Sequence, residues 1–221
     1  MRKFISKIKF KKFIKNKGFW FIDIPRTSSS STRLSLHKMF GKYYGKSNIF
    51  EKEFAQESFY EDHLTNNECL LFFGEKYWRN INKFTIIRNS WERFYSIYGY
   101  LQRGKLIDSD LLFPKFVEQS YEIFSNKKSK LNLWPKTIYP AVSFLRKPNG
   151  SIDNSIRIIN FENREYELKS YFNEFNIEFK PFKSIMNSNL KKNYREAYTD
   201  LSKDLVAKIY AEDIARFDHK F

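Results

Sequence analysis

GFWFIDIPRTSSSSTRLSLHKMF, residues 18–40, joins a strand-like run to a helix-like one through a turn and four serines. GFWFIDI (18–24) is almost continuously apolar, of strand length, and bounded by Gly18 and Pro25, as strands buried in a parallel sheet tend to be. After the serines, Leu36, Met39, Phe40 and Tyr43 fall at i, i+3, i+4 and i+7, one face of a helix. The same order recurs twice. FTII (84–87) precedes Trp91, Phe94, Tyr95 and Tyr98 at helical spacing, with Asn89 and Glu92 placed as in a capping box. A strand at 156–159 precedes a helical face of Leu168, Tyr171, Phe172 and Phe175. A last helix is expected over 200–216, organised around Leu201, Leu205 and Ile209. Strands alternating with helices predict an α/β fold, a mostly parallel central sheet flanked by helices on both sides. Asn149-Gly150 in KPNGS (147–151) suits a tight turn.

The chain has 221 residues, 42% hydrophobic and 19% aromatic, enough for one sizeable core. A basic N-terminal extension over 1–17 and a single domain over 18–221 are expected. Cys69 is the one cysteine, so no intrachain disulfide can form and a reducing compartment fits. With no apolar run near the roughly 20 residues of a membrane span and no signal-peptide core, the protein is expected to be soluble and cytoplasmic.

The net charge of +15 is uneven. MRKFISKIKFKKFIKNK (1–17) holds eight Lys/Arg and no acid, leaving 32 basic against 25 acidic residues, or +7, in the remainder. The extension suits peripheral contact with an anionic membrane surface or a polyanion, or simply a solvated lead-in. The milder excess elsewhere suits phosphates, sulfates or acidic sugars.

Sites on such sheets lie at the carboxyl ends of the strands. There, residues 25–32 open a helix whose first amides and dipole face any anion, and the hydroxyls of Thr27, Ser28, Ser29, Ser30 and Ser31 add donors or cap the helix. Arg26 adds the cation that a phosphate group needs. The glycines and lysine of a Walker A loop are missing. Arg88 ends the second strand, and Ser96, just over two helical turns on, lies on much the same helix side.

Taken in order, FIDIPRTSSSST, HLTNNECLLFFGEKYWRNINKFTIIRNSWERFYSIY, IRIINFENREYELKSYF and YTDLSKDLVAKIYAEDIARFDHKF resemble the carbohydrate sulfotransferases that use 3′-phosphoadenosine 5′-phosphosulfate (PAPS). The resemblance runs from about residue 18 to Phe221 and implies a P-loop NTPase-like three-layer sandwich, PAPS as co-substrate, no metal, no specific nucleic acid, and a saccharide or glycolipid acceptor. PRTSSSS takes the place of the family's Pro-Lys-Thr-Gly-Gly-Thr-Ser loop for the 5′-phosphosulfate, with Arg26 where the family has a catalytic lysine. IIRNSWERFYS matches the Arg-Asp/Asn-Pro-x-x-Arg-x-x-Ser element, which makes Arg88 and Ser96 the 3′-phosphate ligands. FEN (161–163) matches a segment near the nucleotide. DIARFDHKF (213–221) is similar to the family's Asp-x-x-x-Phe-x-Tyr-x-Phe ending, read as structural.

A sugar hydroxyl needs a base. His63 lies where bacterial members of the family have a His opening a similar segment, and Asp23, beside the donor loop, is the reserve. His37 and His219 read as structural. The departures from the family are serine for glycine at 28 and 29, which strains any positive φ there, arginine for lysine at 26, and serine for proline at 90. Lys191 and Lys192 are placed either to reach the nucleotide phosphates or to form a solvated loop. Two other classes stay open: a non-catalytic basic module for nucleic acid or anionic polysaccharide, supported by KFISKIKFKKF, and a nucleotide kinase, opposed by the missing Walker lysine.

Overall fold

The computed structural model describes residues 18–40, 63–125, 136–182 and 193–221. Strands β1 (Phe19–Phe21), β2 (Asn82–Ile87) and β3 (Ile156–Asn160) form a parallel sheet in the order β1-β2-β3. The helices are α1 (Ser29–Phe40), α2 (Asn66–Phe73), α3 (Glu75–Arg79), α4 (Ser90–Arg103), α5 (Phe113–Ser125), α6 (Arg164–Asn173), α7 (Asp200–Ile209) and α8 (Ala211–Phe217). The fold is α/β, as the alternating pattern predicts. Phe19 pairs with Asn82 and Lys83 with Ile156, which makes β2 the central strand and explains its continuous burial.

Two compact units divide the chain: Met1–Ile87 with Ser143–Ile185, and Arg88–Val142 with Met186–Phe221. The first holds the sheet. Its strands alternate as pleating requires. Phe19, Phe21, Phe84, Ile86 and Ile159 pack with Leu36 and Phe40 of α1 and with Leu168, Tyr171 and Phe172 of α6. Trp20, one residue out of phase, meets Phe73 edge-on at 5.0 Å, and Phe73 stacks on Trp78 at 5.5 Å, so α2 and α3 take the other face. In the same unit Gly150 adopts φ 82° in a turn closed by Lys147 N donating to Ser151 O (2.8 Å), as the Asn-Gly pair predicts.

β1 is shorter than the expected 18–24. Pairing beyond Phe21 continues through Ile22 N to Phe84 O (2.9 Å), but the Ile24 carbonyl accepts the hydroxyls of Thr27 (2.8 Å) and Ser29 (3.2 Å). A side-chain turn thus replaces the ladder.

The second unit is helical. The α4 stripe of Trp91, Phe94, Tyr95 and Tyr98 is buried with Phe113, Phe116 and Val117 of α5 and Leu205, Val206 and Ile209 of α7. The single helix expected over 200–216 is two. It breaks at Tyr210, whose φ of −109° and ψ of 27° leave the helical range while its buried phenol donates to Ile138 O (2.6 Å). Leu201, expected on the apolar stripe, is exposed. Ser202 turns inward instead and closes a capping box with Thr199, its Oγ accepting from Thr199 N (2.8 Å) while Ser202 N donates to Thr199 Oγ1 (3.1 Å).

Candidate functional site

At the carboxyl end of β1 the chain passes through Asp23, Ile24, Pro25, Arg26, Thr27 and Ser28 into α1. Arg26 and Ser28 have φ of 65° and 78°, in the left-handed region that favours glycine, while Thr27 between them does not. Alternation of φ sign is one of the dihedral conditions of an anion-binding nest, and the start of α1 supplies first-turn amides that have no partner within the helix. Of the two courses open to serine at these positions, a right-handed path or strain, Ser28 takes the strained one, whereas Ser29 follows the right-handed path of the helix.

The hydroxyls divide their work. Thr27, fully buried, and Ser29 both donate to Ile24 O and so brace the loop from within. Ser30 is exposed and Ser31 half-buried at the helix start. Ser28 O accepts from Thr32 N (3.0 Å) and so joins the loop to α1.

Asp23 is buried beside the loop. Its carboxylate pairs with Arg33 Nε of α1 at 2.5 Å and lies 3.5 Å from His63 Nδ1. Burial pushes the Asp23 carboxyl up, but the Arg33 cation and His63 outweigh it and hold the group below the ordinary carboxylate range. The His63 ring also contacts the Asp23 backbone oxygen, at 2.8 Å from Nδ1. His63 itself is fixed by the start of α2. Thr65 caps that helix in a reciprocal box, Glu68 N donating to Thr65 Oγ1 (3.2 Å) and Thr65 N to Glu68 Oε2 (2.7 Å). Asn66 then anchors the turn from inside, accepting from Trp78 Nε1 (2.6 Å) and donating to Arg146 O (3.3 Å).

Arg88 and Ser96 belong to the second unit. Asn89 caps α4, accepting from Trp91 N (3.1 Å) and Glu92 N (3.4 Å). Glu92 does not reach back to complete the expected box, because its carboxylate pairs with Arg88 at 2.7 Å. Ser96 is buried on α4, and Arg93 is buried with its guanidinium donating to Tyr139 O (2.9 Å) and Thr137 O (3.1 Å). The terminal segment is bolted to the start of this helix. Asn89 Nδ2 donates to Lys220 O (2.7 Å), Ser90 Oγ meets His219 Nδ1 at 2.9 Å, and the Phe221 ring meets Trp91 at 5.7 Å. Ser90 and His219, 129 positions apart in the chain, thus meet at the start of α4. Burial and the Arg93 cation bring the His219 imidazole down to about 4, so it is neutral in the pair near pH 7.

Arg26, Thr27, Ser28, Ser29, Ser30, Ser31 and His63 are thus in the first unit, Arg88 and Ser96 in the second. In FEN, the Phe161 ring lies 4.2 Å from the Arg164 guanidinium. Lys191, Lys192 and the basic extension lie outside the described residues. Sequence reasoning missed Arg33 and the Thr65–Glu68 box. The box has a signature, Thr-x-x-Glu, directly after His63. Arg33 has none, since no periodicity links a helix residue to a carboxylate across a strand-to-helix turn. No known protein family matches the chain, and neither the curated proteins nor the solved structures give a match.

Proposed function

We propose that the chain is a sulfotransferase moving a sulfuryl group from PAPS to a hydroxyl of a saccharide or glycolipid acceptor, on a P-loop-like sandwich. The observation that supports the reading is the loop after β1, where Arg26 and Ser28 take positive φ next to a helix start, in the place the family resemblance gives to the 5′-phosphosulfate.

The roles follow from charge. In in-line transfer, negative charge grows on the oxygen bridging sulfur to the 5′-phosphate, and fixed donors aimed there lower the barrier. Arg26 and the loop amides supply them, while the Thr27 and Ser29 hydroxyls keep the loop in shape. His63 takes the acceptor's proton. Arg88 and Ser96 hold the 3′-phosphate, with Arg88 exchanging or sharing its Glu92 partner.

Thermal unfolding with 3′,5′-adenosine bisphosphate, against ATP and AMP, tests the reading on wild type and Arg88→Ala. Ligand at about 100 times its dissociation constant adds about 2.7 kcal/mol, and that stabilisation is expected for the bisphosphate in wild type only. No stabilisation of the folded wild type by the bisphosphate sinks the proposal. Polyanion binding that falls steeply with salt and disappears on deleting residues 1–17 then identifies a basic binding module.

A further inference from the structure

A carbonyl oxygen can only accept a hydrogen bond, so the 2.8 Å contact between His63 Nδ1 and Asp23 O requires the proton to be on Nδ1. The neutral imidazole then has its lone pair on Nε2. This is the less populated tautomer of a histidine side chain free in water, so something must select it. Residue 23 is the selector through its carbonyl, and a carboxylate oxygen of the same residue lies 3.5 Å from the same nitrogen, where its charge favours the proton. The other carboxylate oxygen is pinned by Arg33 Nε at 2.5 Å, and Arg33 is on the helix that begins at the donor loop.

We infer that Asp23 and Arg33 are positioning residues for His63: their ion pair fixes residue 23 so that its carbonyl holds the imidazole as the Nδ1–H tautomer, leaving Nε2 as the atom that accepts a proton. The consequence for catalysis rests on the reading of His63 as the base; the tautomer itself does not. When Nε2 takes the acceptor's proton, the ring gains positive charge facing the Asp23 carboxylate, whose own affinity for a proton is lowered by the ion pair with Arg33. The Arg33 tie also places the base and the donor loop on one brace. Each is held by residue 23 or by the helix to which that residue is paired.

Histidine labelling with ¹⁵N tests this on the full chain, which has only three histidines, with His63 assigned by its loss in His63→Gln. Long-range ¹H–¹⁵N spectra above the imidazole titration distinguish a pyrrole-like from a pyridine-like nitrogen. Wild type is expected to give a pyrrole-like Nδ1 and a pyridine-like Nε2 at His63. Asp23→Asn with Arg33→Met, which removes both charges together and so avoids stranding one of them, is expected to shift His63 toward the Nε2–H form. Arg33→Lys is expected to keep the wild-type pattern. A pyrrole-like Nε2 in wild type overturns the inference whatever the variants do, and so does an unchanged tautomer in the folded double variant. In the transfer assay the double variant is expected to lose turnover about tenfold or more, part of what a general base contributes. The Nδ1–H pattern in a protein that fails the bisphosphate test leaves Asp23 as the tautomer selector and removes the sulfotransferase reading alone.

Discussion

Replacing Ser28 by glycine is expected to stabilise the protein, although a glycine near the start of a helix ordinarily does the opposite. Ser28 has φ 78°, and a left-handed conformation costs an L-residue about 1–2 kcal/mol because Cβ crowds the following carbonyl. Glycine removes that crowding but loses about 0.5–1 kcal/mol more conformational entropy on folding. With both terms near the middle of their ranges, the net gain is about 0.5–1 kcal/mol. The bond from Thr32 N to Ser28 O involves only backbone and survives the change. At about 2–4 °C per kcal/mol for a chain of this size, the Tm rises by about 1–4 °C. Calorimetry on wild type and three variants separates the causes. Ser28→Ala keeps the Cβ and loses the hydroxyl, so it is expected to gain nothing. Ser30→Gly, exposed and without a positive φ, is expected to lose stability. A Ser28→Gly protein no more stable than wild type would refute the strained loop, and with it the backbone geometry on which the proposed donor binding rests.

Two further outcomes concern the second unit. The His219 imidazole is depressed from 6.5 to about 4, chiefly by burial and then by the Arg93 cation, so the unfolded chain takes up the proton first as pH falls. Stability from this group is complete above about pH 6.5 and is lost as pH drops toward 4, by about 1–2 kcal/mol once partial exposure is allowed for. Urea midpoints for wild type are expected to fall more steeply across that window than those of His219→Gln, and parallel curves contradict the prediction. The buried Asp213 carboxylate accepts from Ala141 N (2.7 Å) and Val142 N (2.9 Å), one oxygen each. Asp213→Asn leaves one of those amides facing an NH₂ group and is expected to cost about 1–3 kcal/mol in denaturant unfolding, against little change for the exposed Asp218→Asn.

How much of this was legible in the chain depends on the distance over which each feature is determined. The strands at 84–87 and 156–159, the α4 stripe and the Asn149-Gly150 turn follow from spacings of two to four residues, which backbone geometry fixes locally. Serine in place of glycine at 28 left two courses for the loop, a right-handed path or strain, and the structure takes the strained one. The end of β1 is not legible locally because Ile22 and Ile24 continue the apolar run on either side of Asp23, while the Thr27 and Ser29 hydroxyls that take the Ile24 carbonyl act from outside it. The break at Tyr210 was hidden for a similar reason, since the partner that holds its phenol, Ile138, is 72 residues away.

By itself the sequence determined the alternation of strands and helices, the apolar faces, and the loops in which chemistry was to be sought, because side-chain period and turn chemistry are properties of neighbouring residues. Only the tertiary structure decided that Asp23 turns to Arg33 and His63, that Glu92 pairs with Arg88 instead of closing its box, and that Ser90 meets His219 across 129 positions. Such contacts exist only after the chain has closed long loops, and a buried charge or ring nitrogen then takes the partner that packing brings to it.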